Sequence, residues 1–379
     1  MGLSATRVVL ISLFLIVGML VPGIIWQPKG SFEPWSVKES DFPQNGSSEE
    51  RAAFLLNYAI LAPSIYNTQP WRFYVSPDEI LIFVDESRWL KAADGNKREM
   101  YLAIGGAIEN LIIAADHFGY KSNVSYFPEL VLSSSNLSES YDIVAEVSLQ
   151  PSAQSSLDPR LFPSITRSEV NASLKANEDL FDQKDMHGNT HQVVEAIRAL
   201  KTDPDISIIL SDDPKTYERL QSLTETADRA LYSNITFKSE LGQWLSRGGM
   251  GPTGVQARID QIKVLFLDSV PGRIEMDREI INSSPYLGFI ASSKNDRESQ
   301  LRAGRLLERI SLLSSSYGHN LVIMSQALQT AETEAGASEL LAEVNGTING
   351  SILQQIFCLR SGGPESELTP RRPVKEVLV

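Results

Sequence analysis

Four stretches of the chain place apolar residues at helical spacing, and each predicts a helix: residues 51–61, 98–120, 214–231 and 296–318. The second stretch has the strongest pattern, and both the second and the fourth end in a glycine that suits a helix C-cap. Inside the second stretch, Gly105 and Gly106 each cost a helix about 1 kcal/mol relative to alanine. Such glycines are tolerated where another backbone approaches closely, so we expect tight packing at this pair, and contact with a ligand is the alternative.

Shorter apolar or alternating runs predict strands at residues 71–75, 80–84, 141–149, 206–210, 287–292 and 321–324. Residues 351–359 predict a helix that runs into a short strand, and the charged residues 85–98 predict a loop. The glycine-rich residues 247–254 lack the lysine of a phosphate-binding loop, which favours a lid at about 240–260 or a surface turn. Long helices beside a mixed sheet predict the α/β (α+β) fold class.

Residues 8–26 form an uncharged apolar run. As a helix with a rise of 1.5 Å per residue, the run spans about 28 Å, close to the roughly 30 Å hydrocarbon core of a bilayer. A secretory signal peptide is the alternative, but no small-x-small cleavage site follows the run. We therefore predict a short N-terminal tail at residues 1–7, an uncleaved membrane anchor at 8–26 and a polar tether at 27–49.

The membrane face on which the body lies is indicated mainly by its N-x-[ST] triplets. These triplets outnumber what serine and threonine frequency predicts, and they begin at Asn45, Asn123, Asn136, Asn171, Asn234, Asn282, Asn345 and Asn349. We therefore expect an extracytoplasmic body with glycan acceptors, and chance matches in a serine-rich chain are the alternative. The few basic residues that flank the run do not decide its orientation.

Composition places the body among globular proteins, with 42% hydrophobic and 21% charged residues. The net charge of −13 argues against nucleic acid or an anionic membrane surface as a partner. The single cysteine, Cys358, excludes an internal disulfide and predicts a small buried hydrophobe. A stretch rich in serine and proline after residue 150 predicts two halves, at residues 50–150 and 151–379.

His187 and His191 are four positions apart and could share one helix face as metal ligands. No third ligand lies near them in the sequence, and Gly188 stands between them. We therefore predict solvent-facing loop histidines and no metal site.

The most informative stretch is residues 62–73, APSIYNTQPWRF. Pro63 ends the preceding helix, and Pro70 pushes Gln69 into an extended conformation. The loop is therefore stiff, and it presents donors and acceptors at a helix-to-strand junction, as a planar hydrogen-bonding ligand requires. A proline-bounded turn with an asparagine cap is the alternative.

This loop resembles the flavin-binding APSxxNxQPWRF motif of the nitroreductase superfamily, and more closely its Acg-type branch, whose chains contain two fused halves. Three other segments share the resemblance: residues 98–107, residues 296–309 and the terminal residues 370–374, PRRPV. The resemblance implies a nitroreductase-like fold, in which one chain takes the form of a nitroreductase dimer. No second copy of the loop is present, so we expect one flavin site per chain.

The resemblance also implies which residues bind FMN: Ser64, Asn67, Gln69 and Arg72 at the loop, and Arg167, Ser168, Arg371 and Arg372 around the phosphate. Planar guanidinium groups bind a phosphate dianion through paired hydrogen bonds. Glu169 beside the first phosphate pair departs from the family pattern and would weaken binding. We expect the two C-terminal arginines to be exposed, so that their loss barely changes the stability of the protein without FMN.

No general acid, base or nucleophile stands out, because a flavin carries the hydride and the protein supplies placement. The resemblance implies two-electron reduction of nitroaromatic or quinone-like acceptors, with a reduced nicotinamide as donor. A flavin-sequestering protein whose lid blocks substrate is the alternative. A degenerate structural domain without flavin is a third possibility.

Overall fold

The computed structural model describes residues 31–129, 142–166, 187–201, 203–251, 254–267, 269–345, 350–362 and 368–379. The strands in these ranges are β1 (Trp71–Val75), β2 (Glu79–Val84), β3 (Tyr120–Tyr126), β4 (Ile143–Pro151), β5 (Ile206–Ser211), β6 (Tyr286–Ser292), β7 (His319–Ile323) and β8 (Ile352–Ser361). They form two four-stranded sheets, with the strand orders β1-β2-β4-β3 and β5-β6-β8-β7. Every strand pair in both sheets is antiparallel.

The helices in the described ranges are α1 (Ser48–Ala59), α2 (Arg98–His117), α3 (Leu161–Ile165), α4 (His187–Arg198), α5 (Pro214–Ser233), α6 (Ile235–Ser246), α7 (Gly254–Phe266), α8 (Val270–Ser283), α9 (Arg297–Ser316), α10 (Ala331–Asn345) and α11 (Val374–Val377). The predicted α/β class with long helices beside the sheet is confirmed. In detail, each half pairs its own four strands, so two antiparallel sheets stand where we expected one mixed sheet.

The two halves repeat one arrangement. Helix α2 lies between β2 and β3 in the chain, and α9, which has the same length, lies between β6 and β7. Gly119 and Gly318 follow these helices with φ angles of 83° and 74°, which favour glycine. The β2–β4 and β6–β8 pairs each contain one shift in register. This repetition supports an internal duplication, whose boundary we propose near residue 151, at the end of β4.

Helices α2 and α9 cross where each presents a glycine to the other. A Cβ atom built on Gly105 would lie 2.2 Å from the carbonyl oxygen of Leu301. One built on Gly304 would lie 2.1 Å from the carbonyl oxygen of Leu102. Both distances are impossible for a real side chain, so the crossing requires glycine at both positions. The predicted close approach of a second backbone is confirmed at Gly105, and the equivalent contacts make the crossing nearly two-fold symmetric.

One hydrophobic core joins the two halves. It surrounds α2 and α9 and includes Trp71 and Phe73 of the first sheet together with Phe357 of the second, all fully buried. A second cluster lies between β6, β8 and helices α5, α8 and α10. A third cluster lies under α6 and includes Tyr66 and Trp244. The functional site lies between the first and the third cluster.

The structure contains the predicted strands within two residues of their expected limits, and β1 at its predicted limits. Strand β3 was not expected, because its sequence YKSNVSY has few apolar residues and only alternating burial. The predicted helix at residues 351–359 is wrong, because this stretch belongs to β8, which pairs with both β6 and β7. Buried Gln354 and Gln355 interrupt its apolar pattern and obscure the strand in the sequence.

Helices α4, α6, α7, α8 and α10 are absent from the predicted set. Helix α8 begins with a Pro-Gly pair, and Gly336 lies inside α10, so both sequences contain residues that usually mark loops. The predicted loop histidines are also wrong, because α4 begins at His187 and carries His191 on its exposed side. Among the described residues, no group of three metal-ligating side chains converges.

Residues 31–47, which we expect within a polar tether, instead pack on the body. The Phe42 ring stacks on Phe118 with centroids 4.4 Å apart, and Trp35 Nε1 donates to the Thr369 carbonyl at 2.7 Å. Ser31 forms an antiparallel β-bridge with Arg371. The tether prediction is wrong here because aromatic residues among the prolines bind the segment to the core. In the part of the chain that the structure describes, no helix combines the length and apolarity of a membrane span, and the run at 8–26 lies outside that part.

Candidate functional site

The loop between α1 and β1 has a strained backbone. Tyr66, Asn67 and Gln69 have φ angles of 51°, 54° and 48°, a region that residues other than glycine rarely adopt. The predicted extended conformation of Gln69 is therefore wrong. The Gln69 backbone N–H donates to Ser64 Oγ at 2.8 Å, which closes the loop from within. Strain of this kind persists only where surrounding contacts hold it, and it is common at ligand-binding sites.

A cleft lies between this loop, the α2–α9 crossing and helices α5 and α6. Its apolar wall contains Ile65, Leu102, Leu231, Phe237, Leu241 and Leu307. Ser64 and Tyr66 of the loop line the cleft, as do Gly106 and Gly304 of the crossing helices. The cleft is therefore formed by both halves of the chain.

Three buried acids line this cleft: Glu99, Asp228 and Glu308. Burial raises the pKa of Glu308 to about 8, against an opposing hydrogen bond from Asn110. Burial is also the largest cause that raises the pKa of Asp228 to about 8, followed by the neighbouring Asp277 carboxylate. Burial likewise raises the pKa of Glu99, although Arg98 opposes the shift. Near pH 7 the cleft wall therefore carries the neutral carboxyl groups of Glu308 and Asp228, which can donate hydrogen bonds.

The carboxyl of Glu308 lies beside Gly106, where an added Cβ would be 3.9 Å from Glu308 Oε2. Among the described residues, its Oε2 atom has no hydrogen-bond partner, and the side chain is almost fully buried. At the far wall of the cleft, Arg273 Nε donates to Asp277 Oδ2 at 2.7 Å, and Gln326 donates to the same oxygen at 3.0 Å. These contacts fix the wall in place beside Asp228.

The predicted loop residues Asn67 and Gln69 bind the C-terminal segment. Asn67 Nδ2 donates to the carbonyl oxygens of Gly249 and Pro370, at 2.6 and 2.7 Å. Arg371 Nη1 donates to Asn67 Oδ1 at 3.1 Å, and the Arg372 backbone N–H donates to Gln69 Oε1 at 2.7 Å. The structure thus brings four of the predicted residues together, but as a network that joins the loop to the terminus.

Arg371 and Arg372 are only 3% and 6% exposed, so the expectation of an exposed pair is wrong. Arg371 Nη2 donates to the Leu61 carbonyl at 3.1 Å, and its guanidinium lies 4.8 Å from the centroid of the Trp35 ring. Arg372 Nη1 donates to the Gln69 carbonyl at 3.1 Å. Because these groups replace water as partners, both arginines contribute to the stability of the body.

Three arginines lie near Arg88 beside the loop, and we call Arg72, Arg88, Arg247 and Arg372 the arginine cluster. Asp85 pairs with Arg72 at 3.1 Å and with Arg372 at 3.5 Å. Arg88 donates to the Thr68 carbonyl, and both Arg88 and Arg247 lie over the ring of Trp244. Burial lowers the pKa of Arg88 to about 10, and the neighbouring Arg372 is the next largest cause.

Sequence reasoning missed Arg88, Arg247, Asp228 and Glu308. Arg88 lies in the charged stretch that predicts a loop, and the two acids lie on helices whose sequences look amphipathic. Only their positions in the fold distinguish them from surface charges. The predicted Arg167 and Ser168 lie outside the described residues, so their role stays a prediction.

No family model matches the chain. A candidate NAD(P)H nitroreductase of Mycobacterium tuberculosis, Rv3131, is 35% identical over 80 residues, which are 21% of this chain and 23% of that relative. The chain thus spans under a quarter of that relative's length. A second candidate NAD(P)H nitroreductase of the same organism, acg, is 26% identical over 333 residues, which cover 84% of this chain and 92% of that protein.

Among solved structures, an FMN-bound nitroreductase of Desulfitobacterium hafniense superposes with a TM-score of 0.36 at 12% identity. The superposition covers 59% of this chain and 98% of that structure, and we draw no conclusion from a TM-score this low. The similarity to acg, in contrast, extends over nearly the whole length of both proteins. This similarity agrees with the predicted resemblance to the nitroreductase superfamily and its Acg-type branch.

Proposed function

We propose that this chain is an FMN-dependent oxidoreductase of the nitroreductase type, with one flavin site formed by the cleft and the arginine cluster. The observation that carries the proposal is the excess of positive charge in the arginine cluster. Burial is the largest cause of the lowered pKa of Arg88, and the charges of Arg372, Arg247 and Arg72 lower it further, while Asp85 opposes the shift. A phosphate dianion would offset that repulsion through charge-assisted hydrogen bonds to guanidinium groups.

The other residues of the site fit the remainder of FMN. Ser64 lines the cleft next to the strained loop, within the part of the chain that carries the family motif. Asn67 and Gln69 hold the C-terminal segment against the loop and so position Arg371 and Arg372. When bound, FMN would supply two-electron chemistry. The protein would bind the phosphate, exclude water with the apolar wall and donate hydrogen bonds from neutral carboxyl groups.

For the substrates, we propose a reduced nicotinamide donor and a small aromatic acceptor such as a nitroaromatic or a quinone. The names of both relatives support the donor, and the apolar cleft wall supports a flat aromatic acceptor. The neutral Glu308 and Asp228 carboxyl groups could donate hydrogen bonds to acceptor oxygens without placing a negative charge beside them.

Flavin sequestration remains a second candidate function, favoured by the link between α6 and α7. This link closes on the loop, where Gly249 accepts a hydrogen bond from Asn67. If the link blocks the cleft, bound flavin will not bleach when NADH or NADPH is added anaerobically. An oxidoreductase will bleach and will recover its absorbance when a quinone is added.

We further propose that residues 8–26 anchor the chain in a membrane and that the body lies on the extracytoplasmic side. The uncharged apolar run supports the anchor, and the N-x-[ST] triplets support the orientation. Deletion of residues 1–30 should move the protein from the membrane to the soluble fraction. Protease added to intact cells should digest an extracytoplasmic body and leave a cytoplasmic one intact.

The flavin site is tested by Arg88→Ala. Losing a charge-assisted contact to phosphate should weaken FMN binding by about 2–3 kcal/mol, or roughly 30- to 150-fold. Riboflavin has no phosphate, so its affinity should stay nearly the same. Arg229→Ala, at an exposed arginine of α5 that pairs with Glu225, is the matched control and should change neither affinity.

Titration of both ligands, followed by flavin fluorescence, separates the outcomes. Equal losses for FMN and riboflavin would mean that Arg88 shapes the loop through Thr68 and does not bind phosphate. A parent protein that binds neither ligand would overturn the proposed function.

A further inference from the structure

Helix α7 exposes a line of large apolar side chains, which we call the apolar stripe: Val255, Ile259, Ile262 and Phe266. Val255 is 50% exposed and Phe266 is 73% exposed, while Ile259 is also exposed and Ile262 is half-buried. At 100° per residue, all four lie within an arc of about 60° on one side of the helix. Ala257, the buried residue of α7, lies on the opposite side. The stripe is therefore a second apolar face, separate from the one that packs on the protein.

Helices α6 and α7 form a hairpin joined by a short link. Leu265 of α7 packs against Gly242 of α6, where an added Cβ would lie 3.5 Å from Leu265 Cγ. The antiparallel arrangement places Ile235, at the start of α6, near the end of α7. Ile235 and Leu267 are 67% and 57% exposed, so each adds a large exposed apolar side chain to the hairpin. Contiguous apolar surface of this kind marks an interaction site in a soluble body.

The hairpin also differs from the rest of the chain in charge. Its described residues include four basic and two acidic side chains, a net charge of +2, whereas the whole chain carries −13. One of the two acids, Glu240, is occupied as the acceptor for the backbone N–H groups of Ala92 and Ala93. An apolar face beside basic residues has the chemistry of a helix that lies in a lipid interface.

The hairpin lies next to the point where the predicted anchor reaches the body. Ser31 and Arg371 exchange backbone hydrogen bonds of 2.8 Å, and Arg371 donates to Asn67. Asn67 in turn donates to Gly249 in the link of the hairpin. Residues 27–30 separate Ser31 from the apolar run, a distance of at most about 14 Å for an extended chain. A bilayer that holds the run is therefore within reach of the hairpin.

We propose that the apolar stripe docks in the surface of the bilayer in which residues 8–26 are anchored, and that the acceptor is a lipid-soluble quinone that enters the cleft from that bilayer. The inner side of α6 supports the second part, because Phe237 and Leu241 line the cleft while α7 presents the stripe on the other side of the hairpin. This inference rests on the proposed anchor and flavin function. It identifies the bilayer as the surface that covers the apolar stripe, and a lipid-soluble quinone as the substrate class.

Depth measurement in proteoliposomes tests the docking. The native Cys358 is fully buried and burial raises its pKa to about 12, so a thiol-reactive fluorophore will label an introduced cysteine selectively. Full-length Ile259→Cys, labelled and reconstituted in phosphatidylcholine vesicles, should shift its emission to the blue and be quenched by lipids that carry a quencher on the acyl chain. Ser222→Cys, at an exposed position of α5, is the matched control and should show neither change.

A label at position 259 that remains in water would overturn the docking. A label that is shielded but not quenched by the lipids would overturn it too, because a second copy of the chain or a soluble partner would then cover the stripe.

Turnover with two quinones tests the substrate class. Ile259→Asp combined with Phe266→Asp places charge on the stripe and leaves the cleft residues intact. Reduction of a long-chain quinone embedded in the vesicles should fall by about tenfold or more, the effect of about 1.4 kcal/mol. The rate of reduction of a short-chain, water-soluble quinone should differ by less than about twofold between the variant and the parent.

The two quinones also separate this inference from the proposed function. Equal rates of parent and variant with the embedded quinone would overturn the lipid route while the flavin function stands. Absence of turnover with either quinone in the parent would instead count against the proposed oxidoreductase activity.

Discussion

The two sides of the α2–α9 crossing carry equivalent carboxylates in opposite surroundings. Glu109 and Glu308 occupy the same position in the two helices, and both are buried. On the first side, α9 presents Arg305 and Arg309, whose Nε atoms lie 3.0 and 2.6 Å from the Glu109 carboxylate oxygens. That side is lined by an ion-paired cluster, and we call it the ion-paired side.

On the second side, the equivalent positions of α2 hold Gly106 and Asn110. Gly106 leaves room beside Glu308, and the carboxyl remains neutral near pH 7 because burial raises its pKa to about 8. The cleft of the proposed flavin site lies on this side only. The two sides of the crossing therefore share the same helix geometry and differ at two pairs of equivalent positions. Arg305 and Arg309 line one side, and Gly106 and Asn110 line the other.

The largest expected effect concerns the pH dependence of stability. The pKa of Glu308 is raised from 4.5 to about 8 in the folded state. The contribution of the protonated carboxyl to the free energy of unfolding is therefore full below about pH 4.5 and is lost as the pH rises through 8. The loss amounts to as much as about 5 kcal/mol for a buried group. Glu308→Gln has no such titration, so urea unfolding should find it more stable than the parent at about pH 9 and similar at about pH 5.

Glu109→Gln is the matched control, because its side already contains two arginines. The difference in free energy of unfolding between Glu109→Gln and the parent should have the same sign at about pH 5 and at about pH 9. A constant difference between parent and Glu308→Gln across the same range would show that Glu308 does not titrate as proposed.

The next effect gives the ion-paired side the residues that α2 presents on the side of the cleft. Arg305→Gly combined with Arg309→Asn leaves Glu109, which is 1% exposed, without its ion pairs. Breaking a buried pair in this way costs about 3–5 kcal/mol, which denaturant unfolding at about pH 8 will measure. Adding Glu109→Gln should recover most of the loss. Unchanged stability in the double variant would mean that the ion pairs of Glu109 contribute nothing to the stability of the protein.

Arg371 is the positive neighbour that acts on Glu308, since its charge lowers the pKa of that acid. Arg371→Ala removes hydrogen bonds to the Leu61 carbonyl and Asn67 Oδ1, and should destabilise the flavin-free protein by about 2–3 kcal/mol. The variant should also show a higher pKa for Glu308 in the pH series. Arg160→Ala, at an exposed arginine, is the control and should cost less than about 1 kcal/mol. Equal losses of stability in Arg371→Ala and Arg160→Ala would mean that Arg371 contributes no more to stability than an exposed arginine does.

The smallest effect compares two neighbouring glycines. Gly105→Ala drives a methyl group into the α9 backbone and should cost about 1–3 kcal/mol. At Gly106 the added Cβ would make an ordinary contact of 3.7 Å with Ala62, so Gly106→Ala should change stability by less than about 1 kcal/mol. Its methyl group would lie at the cleft, so FMN affinity should fall in Gly106→Ala although the protein remains as stable as the parent. Equal destabilisation by both changes would contradict the asymmetry of the crossing.

The sequence predicts the fold where local pattern and tertiary packing agree. The limits of β1 and the packing at Gly105 follow from spacing and from the conformational cost of glycine. Residues 351–359 could not be assigned in this way, because Gln354 and Gln355 obtain partners from Ser292 and Glu99, far away in the chain. A strand with buried amides looks like a helix until those partners are known.

The sequence predicted the candidate site only at the residues that belong to the motif. The loop at residues 62–73 indicated Ser64 and Asn67, but not that Asn67 would bind the C-terminal segment. The burial of Arg371 depends on Leu61 and Trp35, which no local pattern connects with it. Arg88 becomes a candidate only when the fold places it beside Arg372.

The two halves share one hydrophobic core, so the cleft between them does not separate when the protein is diluted. A site built between two separate subunits is lost when the protein concentration falls below their dissociation constant. Here both walls of the cleft belong to one chain, so the second wall is present at a fixed effective concentration however few copies exist. Unfolding of this protein is therefore expected to be independent of its concentration, and a single molecule carries both walls of the cleft.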